Sequence, residues 1–161
     1  MEKDFNNIRL IRRIALVLVT FSFSIAVLYS CSANLFSESD DVKIGEDLDK
    51  EIRNNPRQFP LLTDKPEITN FVSGLGNYIL NSSPKIQYKN VFPYKFQVIN
   101  DTIVNAFCTP GGFIYIYTGL MKFVDNEATL AGVIAHEIAH AERRHMTQRL
   151  SSYYGASFLL S

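Results

Sequence analysis

The sequence predicts an α+β fold, with amphipathic helices and a small, mostly antiparallel sheet packed on one apolar helix. Three observations carry that expectation. Two segments before residue 82 repeat their apolar residues every three to four positions, the period of a helix face. Between Tyr94 and Tyr117 the pattern changes to the alternation and β-branched or aromatic runs of strands. A final apolar stretch from Leu130 to Ala139 returns to helix and holds His136, Glu137 and His140. At 161 residues, 47% hydrophobic with twelve Phe and eight Tyr, the chain is one domain's worth with enough apolar mass for a core.

The N-terminus reads as a targeting segment. Arg9, Arg12 and Arg13 precede an apolar run from Ile14 to Tyr29, and small residues follow. The run falls short of the roughly 20 residues that span a bilayer as a helix. Residues 1–30 are therefore expected to be a secretory signal peptide, with an uncleaved membrane anchor as the alternative. Leu28-Tyr29-Ser30-Cys31 resembles a bacterial lipobox, with Tyr29 where a small residue is usual. On that reading Cys31 is the lipidated first residue of the mature protein. Without residues 1–30 the chain keeps 12 Lys+Arg against 14 Asp+Glu. Residues 31–41, rich in Ser, Asp and Glu, read as a tether, and residues 42–161 as the folded domain.

The elements follow in order. Ile44, Leu48 and Ile52 predict a narrow amphipathic helix over about 40–54, broken by Pro56 and Pro60. Ile68, Phe71, Val72, Leu75, Tyr78 and Ile79 predict a second over 64–81, capped by Thr63 or Asp64, with Pro66 in its first turn. Residues 81–93 lack periodicity and read as a loop. Tyr94, Phe96 and Val98 alternate with Lys95 and Gln97 as in a half-buried strand. Ile103 to Cys108 reads as another, Thr109-Pro110-Gly111-Gly112 as a turn, and Phe113-Ile114-Tyr115-Ile116-Tyr117 as a third strand. A short helix follows Thr118. The main helix starts near Asp125 or Asn126 and runs to about 149.

The composition excludes two classes. A formal net charge of zero supplies no basic face, so no nucleic-acid partner is expected. Two cysteines, Cys31 and Cys108, exclude a disulfide-rich scaffold. Cys108 reads as a small buried hydrophobe on a strand.

All three histidines lie between positions 136 and 145. His136 and His140, four apart on a helix, project from one face and can meet one Zn²⁺. Glu137 is offset by about 100° and can reach a water held by the metal. Zinc acidifies that water, and the carboxylate takes its proton and can pass it to a leaving amine. The expected cofactor is one Zn²⁺ per chain. Exposed, solvated histidines are the competing reading, but the helix is apolar on most sides, and a buried helix rarely carries such residues without a role. His145, five residues past His140, would lie about 140° round a continuous helix and so is a poor direct ligand. A supporting or structural role is expected of it. Glu142 would lie about 200° round from His140 and point elsewhere.

Together these residues resemble a known family. Asn105-Ala106-Phe107, Pro110-Gly111-Gly112, Thr118-Gly119-Leu120, Asn126-Glu127-Ala128, Leu130-Ala131-Gly132 and His136-Glu137-Ile138-Ala139-His140 continuing to Arg144-His145 are similar in order and spacing to the HtpX/BepA/Oma-like zinc metallopeptidases, metallopeptidase family 48. The resemblance implies a zincin-like fold of the gluzincin type, with Glu137 as base and a Glu from a later helix as third protein ligand. It also implies periplasmic lipoprotein members acting in protein quality control of the cell envelope, with polypeptide substrates and membrane attachment through a lipid anchor. No later Glu follows Glu142, so the chain reads as the N-terminal part of a longer peptidase, its catalytic domain incomplete at the C-terminus.

Three functions compete: a membrane-tethered zinc endopeptidase, a non-catalytic envelope lipoprotein binding unfolded or outer-membrane proteins, and a metal-binding structural module. Glu137 favours the first, since zinc binding alone needs no base between the histidines. Residues Phe113, Ile114, Tyr115, Ile116 and Tyr117 are candidates for a sheet edge that pairs with extended substrate. The strand 103–108 is the alternative edge, and an interior position for 113–117 fits its apolar run equally.

Overall fold

The computed structural model describes residues 34–160. The signal segment, the lipobox and Cys31 lie outside the described residues. Helix α1 (Glu38–Asn54) begins with a capping box: the Ser37 hydroxyl accepts from the Asp40 amide, and the Asp40 carboxylate accepts from the Ser37 amide. Its buried stripe is Asp41, Gly45, Asp49 and Ile52, one step round from the expected Ile44, Leu48 and Ile52. The two carboxylates explain the offset, because each is buried against a partner from elsewhere in the chain. Gly45 lets α1 lie on the Pro110–Phe113 turn, where a Cβ would come within 2.8 Å of the Phe113 ring.

Helix α2 (Pro66–Ser82) buries Val72, Gly76 and Leu80, while Phe71 and Tyr78 face outward. Gly76 is a contact surface of the helix, since the Phe96 ring fills the place of a side chain there. The sheet comprises β1 (Lys95–Ile99), β2 (Ala106–Thr109) and β3 (Phe113–Tyr117) in the order β1-β3-β2. A short 3₁₀ turn, Pro110–Gly112, joins β2 to β3, with Gly111 and Gly112 at φ 74° and 83°. Strand β2 pairs antiparallel with β3, and β1 pairs parallel with it. The sheet is therefore mixed, not mostly antiparallel, because β3 inserts between its two predecessors.

That insertion also overturns the edge reading of Phe113–Tyr117. All five residues are buried, and the strand is paired on both sides. Its alternating faces feed two clusters. Ile114 and Ile116 pack with Val72, Leu80, Leu130, Ile134 and Ile138 from the helices, and Phe113, Tyr115 and Tyr117 pack with Ile52 and Ile99 on the α1 side. A central strand covered on both faces carries an apolar run with no polar alternation.

Helix α3 (Thr118–Phe123) leads to α4 (Glu127–Glu142), capped by Asn126, and then to α5 (His145–Leu160). The main helix was expected to run unbroken to about 149. It stops instead at Arg143, and Arg144 takes φ 53° before α5 begins. Within the expected 31–41 tether, the described residues 34–41 are packed: Asn34 Nδ2 donates to Thr147 Oγ1 (2.9 Å), the Leu35 amide to Ser151 Oγ (2.8 Å), and residues 38–41 are helical. Among the described residues no helix is long and apolar enough to cross a membrane.

Candidate metal centre

Helix α4 positions the site. Leu130, Ile134, Ile138 and Ala141 fix one face in the core, which leaves His136 exposed, His140 half-buried and Glu137 only 8% exposed. The Nε2 atoms of His136 and His140 converge to 3.0 Å, with their rings nearly perpendicular. Two imidazole nitrogens so placed suit zinc, which takes His ligands at about 2.0–2.1 Å. Among the described residues no group of three or more His, Cys, Asp or Glu is gathered for a metal. The site thus fits zinc with two of the three protein ligands that catalytic zinc normally has.

The break after Glu142 brings His145 back to the site. Its Nδ1 lies 2.6 Å from His140 Nδ1, so it faces the nitrogen opposite the one turned toward His136. Burial, then the neighbouring His140 and Arg143, holds the His145 pKa below the ordinary imidazole value and favours the neutral ring. The expected direction of His145, away from His140, held only for a straight helix.

A cleft of about 390 Å³ opens beside Glu137 and His140, lined also by the β2 residues Ala106 to Thr109 and by His145, Met146 and Arg149. Strand β2 is the edge of the sheet on this side. The Tyr117 amide donates to the Asn105 carbonyl (3.1 Å), so 105 and 117 form a hydrogen-bonded pair, and such pairs alternate along an antiparallel ladder. The peptide groups of Ala106 and Cys108 consequently turn away from β3. Burial, then the Glu137 charge, pushes the Cys108 thiol up to about 12, which keeps it protonated and unsuited to nucleophilic work.

Residues 75–161 match Peptidase family M48. The chain belongs to that family. It is 30% identical over 117 residues to the beta-barrel assembly-enhancing protease of Escherichia coli K12, covering 71% of this chain and 23% of that protein. It is 31% identical over 99 residues to the Yersinia pestis protein of the same name, covering 62% and 19%. The mitochondrial metalloendopeptidase OMA1 of Arabidopsis thaliana is 44% identical over 54 residues, covering 34% and 11%. The chain thus spans about a fifth of the length of the beta-barrel assembly-enhancing proteases it matches.

In this M48 chain, sequence reasoning missed the long-range partners of Glu142, Asp41 and Arg144. Glu142 accepts from the Gln87 amide (2.6 Å), the Tyr88 amide (3.2 Å) and the Tyr94 hydroxyl (2.5 Å), and so ties the 83–93 loop to the end of α4. Arg144 pairs with Asp41, whose side chain is 1% exposed. Only the resemblance pointed to Arg144, and an acidic residue in a helix's first turn reads as a charge on the helix dipole, so nothing marked Asp41 as buried.

Proposed function

We propose that the chain carries the active-site core of a zinc-dependent endopeptidase of the cell envelope, working in protein quality control. The observation that carries the proposal is the convergence of His136 and His140 Nε2 with the buried carboxylate of Glu137 beside them on one helix. His136 and His140 would hold the metal, and a third ligand would come from a Glu on a later helix, as the resemblance implies. Zinc, when bound, would acidify a water and polarise the scissile carbonyl. Glu137 would serve as the base, accepting a proton from the attacking water on its carboxylate and passing it to the leaving nitrogen. The free peptide groups of Ala106 and Cys108 hold an extended substrate by strand addition, which lays the scissile bond along the cleft. His145 supports His140 from behind as a hydrogen-bond partner. The names of the beta-barrel assembly-enhancing proteases support an envelope substrate.

Glu137→Gln tests the reading. In a protein carrying the complete ligand set, peptide hydrolysis should fall about 10²–10⁴-fold while zinc binding stays close to wild type. Activity within threefold of wild type would remove Glu137 from the mechanism. On this reading Cys31 is lipidated and the mature body faces the periplasm. Stable anchoring needs more than one acyl chain. Cys31→Ser should release the protein from membranes or leave the signal uncleaved, and normal processing with unchanged membrane association would refute the assignment.

A further inference from the structure

We propose that Asp41 and Arg144 are positioning residues for His140, which act by seating His145 against its Nδ1 while its Nε2 faces His136. The inference rests on the reading of His136 and His140 as metal ligands.

Arg144 sits at φ 53°, a left-handed conformation that non-glycine residues seldom adopt and that arginine has no local means of favouring. What holds it lies at the far end of the side chain. Nε donates to Asp41 Oδ2 (2.6 Å) and Nη2 to Asp41 Oδ1 (3.1 Å), a bidentate pair that fixes orientation as well as distance. Nη2 also donates to the Phe36 carbonyl (2.6 Å) and Nη1 to Glu38 Oε1 (3.1 Å). Helix α1 and the residues before it therefore grip the one residue at which α4 turns into α5. The Arg144 carbonyl accepts from the Gln148 amide (3.0 Å), so α5 is launched from the gripped residue. His145 is its first side chain.

The grip has a chemical consequence. On an unbroken helix His145 would stand about 140° from His140. With the break in place the two Nδ1 atoms are 2.6 Å apart, a separation that requires one proton between them. A neutral imidazole carries one N–H. If His140 Nδ1 donates to His145 Nδ1, its Nε2 keeps a free lone pair on the side facing His136 Nε2. If the latch opens, His140 loses the partner at Nδ1 that holds its ring with Nε2 toward His136. Partners of this kind set the tautomer of metal-binding histidines and commonly change metal affinity about 10–100-fold.

The test uses the full chain in detergent micelles with ¹⁵N-labelled histidine. In the metal-free protein, long-range ¹H–¹⁵N spectra should show His140 as the Nδ1–H tautomer. Asp41→Asn, which preserves shape, and Arg144→Gly, which keeps the positive φ accessible but removes the guanidinium, should both shift it toward the Nε2–H form. Titration with Co²⁺, read by its visible absorption, should weaken about 10–100-fold in both variants, as in His145→Ala. Combining either with His145→Ala should cost no more than His145→Ala alone, because all act through one contact. Variants with native far-UV circular dichroism that keep the wild-type tautomer overturn the proposal. So do losses of Co²⁺ affinity that add to that of His145→Ala. If the wild-type chain takes up no Co²⁺, the tautomer in the metal-free protein alone decides the role of Arg144, and a wild-type tautomer in both variants overturns it.

Discussion

Removing the Glu142 carboxylate should destabilise the fold by about 2 kcal/mol. Glu142→Ala deprives three donors at once: the Tyr94 hydroxyl and the amides of Tyr88 and Gln87. They do not count equally. Tyr94 lies against Phe92 and the main core cluster, and burial, then the hydrogen bond and charge of Glu142, drives its phenol well above the usual value. A hydrogen bond to a charged group is worth about 1.5–3 kcal/mol, and the lower end applies here because Glu142 is partly exposed. Water can replace the carboxylate at the exposed Gln87 amide and in part at Tyr88, which together add only about 0.5 kcal/mol. For a chain of this size about 2 kcal/mol corresponds to roughly 5–8 °C in Tm. Urea unfolding followed by far-UV circular dichroism measures the loss directly. Tyr94→Phe should cost about 1 kcal/mol, and much less in the Glu142→Ala background, since the two side chains share a contact. A loss below about 0.5 kcal/mol for Glu142→Ala, or strictly additive effects, would refute the view that this carboxylate anchors the loop.

Two further outcomes follow from other buried groups. The Cys108 thiol, raised from 9.0 to about 12, should react with iodoacetamide about 10³-fold more slowly than an unshifted thiol near neutral pH, as read by peptide mass spectrometry; fast alkylation in the folded protein would contradict its burial against Glu137. Burial would raise the Asp49 carboxyl, but hydrogen bonds from Arg53 and the Tyr115 hydroxyl outweigh it and hold the pKa below its ordinary value. That stabilisation is present above the unfolded carboxylate value of about 3.9 and is lost as pH falls through the lower folded value. The stability gap between wild type and Asp49→Asn should therefore narrow as acid is added, and a gap independent of pH would show that the Asp49 charge contributes nothing.

Elements whose signal is local were legible in the residues alone. Alternation at Tyr94–Val98, the apolar run 113–117 and the Pro-Gly-Gly turn located the strands to within a few residues, and the four-residue spacing of His136 and His140 placed them on one helix face. Spacing also put Glu137 next to them, because helical geometry depends on sequence distance alone. Tertiary structure decided everything that depended on distant partners. Strand β3 is apolar throughout whether it lies at an edge or in the centre, and only its insertion between β1 and β2 settled which. Asp41 and Asp49 look like solvated helix charges until Arg144, Arg53 and Tyr115 are brought against them. The end of α4 followed the same rule. Residues 143–149 have no glycine or proline to stop a helix, and the break is imposed by a guanidinium held 103 positions away in the chain. A straight-helix calculation could not place His145 beside His140, because the torsion that puts it there is set by that long-range pair and not by the residues next to it.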